Sequence, residues 1–187
     1  MDVPRYVTVV DFETTGSVPG FPNEPWQIGM VALGPDGIVP GSAYSSLLRV
    51  ARDRPFSRSA PGRWASLRGE LAGAPSLLDL WEEVSPRLSG VPVAAHNAAT
   101  ERTVLRSAAP MARFGPWVDT LSLSRAAFPG LGSYSLSSLI GALGLQAKVD
   151  AAAPGGAWHD ALYDAVAAAV LLDRLRSERV LSASSFF

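Results

Sequence analysis

Cysteine is absent from the 187-residue sequence, and lysine occurs once, as Lys148. The missing cysteines exclude disulfides, thiol nucleophiles and cysteine-ligated zinc. Charge of one sign is not in excess either, because 16 basic residues face 17 acidic ones and the formal net charge is −1. The sequence therefore lacks the global basic field that marks many proteins that bind nucleic acids or anionic membranes. A nucleic-acid enzyme can still concentrate its positive charge on one face, so this absence excludes little.

Long hydrophobic runs are also missing. The longest, AVAAAVLL at residues 165–172, is far too short to span a bilayer. The N-terminal stretch MDVPRYVTVVDF has an acid at position 2 and no long apolar run before a cleavage site, which argues against a signal peptide. We therefore expect a cytoplasmic protein without membrane contact. With 48% hydrophobic residues, the chain has ample material for a core and is expected to form one domain over residues 1–187.

The hydrophobic pattern predicts an α/β domain with a mixed sheet. Apolar and β-branched runs predict strands at residues 6–11, 26–33, 43–50, 91–97 and 117–123, the last passing into a helix. The PDG turn at 35–37 favours antiparallel neighbours for the first strand. Helical spacing predicts helices at 76–88, 98–109, 136–143 and 162–172, the first opened by a capping box of Ser76 and Asp79. Residues 51–74 are predicted to be irregular.

The stretch VTVVDFET, residues 7–14, carries two acids at the end of a buried strand. Alternation along a strand sends Asp11 and Glu13 to the same face. Two like charges this close raise each other's pKa unless something positive lies between them. Hard oxygen ligands of this kind suit Mg²⁺ or Mn²⁺. The alternative is a strand end at the surface, where both acids are solvated.

A histidine and another acid lie in GAWHDALYDAVAAAVLL, residues 156–172. Asp164 is near the start of the last predicted helix, and His159 precedes that helix. A separation of five residues does not place two ligands on one helical face. It suits an acid fixed on the helix beside an imidazole on a loop, and such an imidazole is a natural general base for water. The alternative is that Asp160 caps the helix while His159 and Asp164 are solvated.

The stretch AAHNAATERTVL, residues 94–105, runs from a strand into a helix that carries Glu101. Here a purely structural interpretation is strong. Asn97 can cap the helix, and the helix dipole favours an acid in the first turn.

Together, DFETTG, HNAATERTVL and HDALYDAVAAAVLL resemble, in order and rough spacing, the motifs of the DEDDh 3′–5′ exonucleases. This DnaQ-like family includes polymerase proofreading subunits. The segments GAPSLLDLWEEVSPRL and VDTLSLSRAAFPGLGSYSLSSLIGALGL are similar to the family as well, so the resemblance covers nearly the whole chain. It implies a ribonuclease-H-like fold, an α/β architecture with a mixed β-sheet flanked by α-helices.

One motif departs from the family pattern. The family's second motif is usually His-Asn-x-x-Phe-Asp, whereas residues 96–101 read His-Asn-Ala-Ala-Thr-Glu. Glu101 therefore stands where the family has a metal-binding aspartate. Glutamate keeps the charge but carries its oxygens about one methylene further out, which matters for Mg²⁺ because its octahedral geometry is strict.

The resemblance also implies a catalytic centre and a substrate. Two Mg²⁺ or Mn²⁺ ions would be held by the four carboxylates, Asp11, Glu13, Glu101 and Asp164. His159 would take the proton from the attacking water. The substrates would be 3′ ends of single-stranded DNA or RNA, cut to release nucleoside 5′-monophosphates. Contacts with the terminal nucleotide are expected from Thr14, Thr15, Gly16 and Asn97.

Other residues are open to two interpretations. Four arginines of the irregular segment either track a single-strand backbone or belong to a solvated loop: Arg52, Arg54, Arg58 and Arg63. Trp26 and Trp64 either stack on bases or belong to the core, and His96 is expected to be structural. No protein partner is indicated, and the role of the Phe186–Phe187 tail is left open.

Two further functions are compatible with this pattern. Because Glu101 replaces the usual aspartate, the chain can be a catalytically weakened ribonuclease-H-like module that binds nucleic acid or a protein partner without turnover. Alternatively, it can be an enzyme of the same chemistry for small substrates such as dinucleotides, for which no basic track is needed.

Overall fold

A six-stranded mixed β-sheet forms the centre of the computed structural model, which describes residues 6–178. The expectations for the extreme N-terminus and for the Phe186–Phe187 tail fall outside the described residues. The strands are β1 (Val7–Thr14), β2 (Pro25–Gly34), β3 (Gly37–Ile38), β4 (Tyr44–Leu47), β5 (Val93–Ala95) and β6 (Trp117–Asp119).

Strand β1 lies in the middle of the sheet. It pairs antiparallel with β2 and parallel with β5, which in turn pairs parallel with β6. Both β3 and β4 pair antiparallel with β2. The predicted α/β class, the mixed sheet and the antiparallel neighbour of β1 are thus confirmed. The paired residues Val9 and Ala94 lie close to the end of β5, whereas β1 continues to Thr14, so the last residues of β1 extend past its parallel neighbour.

Helices cover both faces of the sheet. Within residues 6–178 they are α1 (Arg68–Gly73), α2 (Trp81–Leu88), α3 (Ala99–Ala108), α4 (Thr120–Ala127), α5 (Leu136–Ala142), α6 (Gln146–Ala152) and α7 (Ala161–Ser177). The short elements α1, α6 and β3 were not predicted. Helix α5 is as short as α6, but it was predicted because its leucines and isoleucine follow helical spacing.

The predicted capping box forms ahead of α2. The Ser76 N–H donates to Asp79 Oδ2 at 2.8 Å, and the Asp79 N–H donates to Ser76 Oγ at 3.2 Å. Residues 77–80 form turns, and the helix itself begins at Trp81. The capping motif therefore marks the entry correctly, while the helix is shorter than predicted.

Helix α7 can be buried on nearly all sides because its residues are small and apolar. Five of its alanines are at most 2% exposed: Ala161, Ala165, Ala167, Ala168 and Ala169. The helix packs on β1 and β2 and is covered from outside by α4, α5 and α6. On β1, Val7 and Val9 join this cluster, whereas Val10 and Phe12 face the cluster of α2 and α3 on the other side of the sheet. No helix of the described chain is both long enough and apolar enough to cross a membrane.

The N-terminus of α7 touches the backbone of β2 at Gly29. A Cβ atom at Gly29 would lie 2.2 Å from the carbonyl carbon of Ala161 and 2.2 Å from the nitrogen of Leu162. Gln27, two residues earlier, accepts the Ala161 N–H at 3.3 Å and donates from Nε2 to Asp160 Oδ2 at 3.0 Å. Gly29 is also the partner of Asp11 in the β1–β2 register. This contact therefore fixes the start of α7 against the strand pair that carries Asp11.

Replacing Gly29 by alanine is expected to push α7 off the sheet. Overpacking of this kind costs at least about 1–3 kcal/mol, which lowers the melting temperature by roughly 2–12 °C in a chain of this size. Gly141→Ala is the matched control, because Gly141 lies in α5 with open space around its missing Cβ. That variant should be neutral or stabilising by up to about 1 kcal/mol. Thermal melts of the two variants test this, and equal melting temperatures would contradict the close approach at Gly29.

Candidate active site

The end of β1 brings two carboxylates to the start of α7. Asp11 and Glu13 continue the alternation of Val7 and Val9, so they point to the side of the sheet that α7 covers. Glu13 is only 6% exposed. The alternative of two solvated acids at a surface strand end therefore does not hold for this strand.

Asp164 and His159 approach the same place from the N-terminal end of α7. Ligand atoms of Glu13, His159 and Asp164 all lie within 4.8 Å of one another. Asp160 caps the helix, as the structural interpretation predicted, by accepting the N–H groups of Leu162 and Tyr163. The cap does not turn Asp164 towards solvent, since its Oδ1 is buried without a hydrogen-bond partner among the described residues.

The loop residue His159 is held by its backbone and leaves its side chain accessible. Its φ of 66° lies in the left-handed region, and its N–H donates to Asp164 Oδ2 at 3.3 Å. The residue is exposed and lines the cleft described below. An exposed imidazole thus lies next to a helix-borne carboxylate, which is the placement that the five-residue spacing predicted.

Glu101 reaches the same site from the opposite direction. It lies in the first turn of α3, is 3% exposed, and has its Oε2 buried without a partner in the described part of the chain. Burial raises the pKa of Glu101, while backbone N–H groups, its own and that of Phe12 on β1, act in the opposite direction. The longer glutamate is thus accommodated next to β1 and does not point into solvent.

Electrostatics show how closely the four carboxyl groups are packed. Burial, and then the charges of Asp164 and other neighbouring acids, raises the pKa of Glu13 to about 8. Burial raises the pKa of Glu101 to about 7, and burial together with Asp160 raises the pKa of Asp164 to about 7. The pKa of Asp11 is well above its ordinary value for the same two reasons, burial first and then the charges of the surrounding carboxylates. At neutral pH and without a metal ion, full ionisation of these four carboxyl groups is therefore unfavourable.

The donor set fits a hard divalent cation. Two buried carboxylate oxygens, Glu101 Oε2 and Asp164 Oδ1, have no hydrogen-bond partner among residues 6–178. The close group of candidate ligands is Glu13, His159 and Asp164, and Glu101 and Asp11 lie outside it. A cation bound by this group would satisfy Asp164 Oδ1 and relieve the repulsion that raises the carboxyl pKa values. Four oxygen donors and no sulfur donor suit Mg²⁺ or Mn²⁺.

The cluster opens into a cleft of about 580 Å³. Besides the acids, its walls include Thr14, Gly16, Asn97 and Thr100, and four residues of the irregular segment, Ser57, Ser59, Ala60 and Pro61. That segment is fixed to the end of β1, because the Ser57 N–H donates to the Thr15 carbonyl at 2.8 Å. No local signal in the sequence distinguished the wall residues at 57–61 from the rest of the irregular stretch at 51–74.

Thr15, predicted to contact substrate, has its side chain directed away from the cleft. It is fully buried, and its Oγ1 accepts from Arg54 Nη2 at 3.1 Å and from the Glu24 N–H at 3.1 Å. Arg54, predicted to be either a strand-tracking or a solvated residue, is neither. It is 5% exposed and pairs with Glu24 at 2.9 Å. These two residues hold the loop that follows β1 and so position Thr14 and Gly16.

Asn97 does not cap α3. The helix begins after Ala98, which makes no side-chain cap, and Asn97 itself is exposed at the cleft with a φ of 64°. Its backbone N–H donates to Asp119 Oδ1 at 2.9 Å. The left-handed conformation thus turns Asn97 towards the cleft and leaves its amide available.

The remaining predicted aromatic and imidazole residues are structural. His96 contacts Thr120 Oγ1 at 2.9 Å and the Tyr134 carbonyl at 3.0 Å through its two ring nitrogens. Trp26 is 1% exposed, and Trp64 stacks on Phe56 with ring centroids 4.3 Å apart. Both tryptophans therefore belong to the core.

Comparisons with solved structures place this architecture. Cell-death related nuclease 4 superposes with a TM-score of 0.71 at 15% identity over 94% of this chain and 64% of its own length. The nuclease domain of 3′hExo, a DEDDh family member bound to rAMP, gives a TM-score of 0.70 at 15% identity and covers 98% of both chains. E. coli exonuclease I in complex with a dT13 oligonucleotide gives 0.69 at 14% identity, over 93% of this chain and 41% of its own.

Sequence comparisons add nothing to these structural ones. No protein-family model matches the sequence, and no curated protein matches it either. The structural neighbours are nevertheless DEDDh 3′-exonucleases, as the three sequence motifs predicted. The chain has the ribonuclease-H-like α/β fold of those enzymes.

The raised carboxyl pKa values predict how stability depends on pH and metal. Without divalent cations, the folded protein retains protons that the unfolded chain releases above about pH 4.5, so stability is lost as the pH rises towards about 8. The expected loss is about 1.4 kcal/mol per pH unit for each retained proton. Mg²⁺ or Mn²⁺ should raise the melting temperature, and more strongly at pH 8 than at pH 6.

Melting curves of the metal-free protein from pH 5 to 8, with and without Mn²⁺, check this expectation. Glu13→Gln is the comparison variant, because it removes the group whose pKa is raised to about 8. Its melting temperature should fall less with pH than that of the wild type. A wild-type melting temperature that rises steadily to pH 8 would contradict the buried cluster.

Proposed function

We propose that this protein is a metal-dependent 3′–5′ exonuclease that acts on single-stranded 3′ ends of DNA or RNA and releases nucleoside 5′-monophosphates. One observation supports the proposal most: Glu13, His159 and Asp164 offer ligand atoms within 4.8 Å of one another, and Asp11 and Glu101 line the same open cleft, in a fold shared with 3′-exonucleases. The prediction that residues 1–187 form one exonuclease-like domain is part of this proposal.

Each group has an assigned task in the reaction. Asp11, Glu13, Glu101 and Asp164 would hold the metal ions. When bound, these ions supply a water that is acidic enough to attack at neutral pH and positive charge opposite the developing phosphorane.

His159 acts on the attacking water. Its imidazole is exposed at the cleft and removes the proton of the water as the new bond to phosphorus forms. The hydrogen bond from its N–H to Asp164 Oδ2 holds the loop at a fixed distance from the carboxylates. The histidine therefore acts on water, while Asp164 holds metal.

The terminal nucleotide occupies the rest of the cleft. Its volume of about 580 Å³ lies within the usual range of small-ligand sites, about 300–1,000 Å³. We assign the nucleotide contacts to Thr14, Gly16 and Asn97, which line the cleft, and a positioning role to Thr15. Among the neighbouring solved structures, the nuclease domain of 3′hExo is bound to rAMP and exonuclease I is in complex with a dT13 oligonucleotide, and a 3′-exonuclease recognises the 3′ end of a histone mRNA stem-loop.

A second candidate function rests on Glu101. If the longer side chain stays on the Phe12 N–H and does not contribute to metal binding, the chain would bind nucleic acid with little or no turnover. In that case, shortening the side chain by Glu101→Asp would restore cleavage.

The direct test uses 5′-labelled single-stranded DNA and RNA oligonucleotides with Mg²⁺ or Mn²⁺. The wild type should produce a ladder that shortens from the 3′ end, with nucleoside 5′-monophosphates as products. His159→Asn should lower kcat by about 10²–10⁴-fold with little change in KM, because a general base is lost. Asp164→Asn should abolish cleavage, whereas Asp36→Asn in the β2–β3 turn is the matched control and should cut normally.

The outcomes separate the two candidates. Cleavage by wild type supports the enzyme, and a ladder from the 5′ end would contradict the assigned direction. Intact substrate with wild type and cleavage with Glu101→Asp would support the binding module. If neither protein cuts an oligonucleotide or a dinucleotide, the assignment of the carboxylates to phosphodiester hydrolysis is wrong.

A further inference from the structure

Helix α3 connects the candidate active site to a second cavity. The first turn of α3 carries Glu101, which lines the cleft. Two later residues of the same helix, Arg102 and Arg106, line a separate hollow of about 440 Å³. Positions 102 and 106 are one turn apart and therefore share a face of the helix. The loop that follows α3 adds Arg113 to the same hollow.

The positive charge of this hollow is not neutralised within the described chain. Arg102, Arg106 and Arg113 are all exposed, and none forms an ion pair with a described residue. None of the described residues that line the hollow is acidic. In a protein of net charge −1, three arginines without ion pairs to described residues make a locally positive surface around this cavity.

Aromatic rings complete the wall of this arginine hollow. Trp117 and Phe114 both line it and both are partly buried. The Arg102 guanidinium lies 5.2 Å from the centroid of the Trp117 ring. Arginines interleaved with aromatic rings suit nucleic acid, because guanidinium groups bind phosphate while rings and guanidinium planes stack on bases.

We infer that the arginine hollow of α3 binds a phosphate and base of the single strand whose 3′ end occupies the cleft. Glu101 and Arg106 are five residues apart, about 8 Å along the helix axis at 1.5 Å per residue. In the sheet register Trp117 is level with Val93 and Thr8, three to five residues before Asp11 and Glu13 on β1. At about 3.3 Å per residue, the hollow and the acids are roughly 10–16 Å apart along the strands, which a few nucleotides can span. This inference rests on the proposed function for the identity of the strand, but the hollow itself contains none of the catalytic residues.

A free mononucleotide has the same chemistry as one unit of a strand, so the experiment must separate the two ligands. A strand is favoured because three arginines spread over α3 and the following loop offer more positive charge than one phosphate needs. Each additional phosphate contact releases counterions, and for single strands log K falls with log salt by about 0.7 per contact.

The test measures binding of a labelled 20-nucleotide strand, a dinucleotide and AMP by fluorescence anisotropy. EDTA is present, so no strand is cut. Arg106→Gln/Arg113→Gln is compared with Lys148→Gln/Arg174→Gln, which removes the same charge from α6 and α7. The first variant should bind the 20-mer more weakly, with a salt slope smaller by about 1.4, and should leave the dinucleotide unchanged. The second variant should retain the wild-type slope.

Each result has a defined meaning. A reduced slope confined to the 20-mer and to the first variant supports the strand site, even if the wild type proves unable to cleave, in which case only the proposed function fails. Loss of AMP binding without any change for the 20-mer would show that a free nucleotide occupies the hollow and would overturn the strand assignment. Equal slopes for both double variants would also overturn it.

Discussion

The mutual repulsion of four buried carboxyl groups is the constraint around which this structure is organised. Asp11, Glu13, Glu101 and Asp164 come from β1, α3 and α7, and burial together with neighbouring charges raises the pKa of Glu13 to about 8. Such a cluster costs stability at neutral pH unless a cation neutralises it. The arrangement is therefore difficult to explain as a purely structural feature and is consistent with a metal-binding site.

The four carboxyl groups are brought together by packing contacts and hydrogen bonds elsewhere in the fold. The alanine-rich helix α7 approaches the sheet closely, and Gly29 lets its N-terminus lie directly on β2. Gln27 and Asp160 fix the same end by hydrogen bonds. On the other side, β5 ends early enough for α3 to present its first turn to β1. The polar centre thus depends on apolar packing that places three element ends at one edge of the sheet.

Sequence patterns predicted the features that depend on local periodicity, such as the face on which a side chain lies. They did not predict environments that depend on contacts between distant residues. Alternation placed Asp11 and Glu13 on one face, and the motif spacing predicted that His159 lies on a loop beside Asp164 of α7. Arg54 was misjudged because nothing local shows that a loop arginine will be enclosed by Glu24 and Thr15. The conformation of Asn97 could not be predicted either. Asparagine is favoured both as a helix N-cap and in the left-handed region, and only the structure shows that Asn97 adopts the second. The strand β3 has only two residues, too few to show a hydrophobic period in the sequence.

The most direct test of this account is a calorimetric titration of Mn²⁺ into the purified protein at pH 7.5, compared with Asp11→Asn and with Asp36→Asn as control. The account predicts two ions per chain in the wild type and in the control. It also predicts loss of at least one ion when Asp11 is neutralised. Absence of binding to the wild type at millimolar Mn²⁺, or identical binding by all three proteins, would contradict the claim that the buried carboxylates form a metal site.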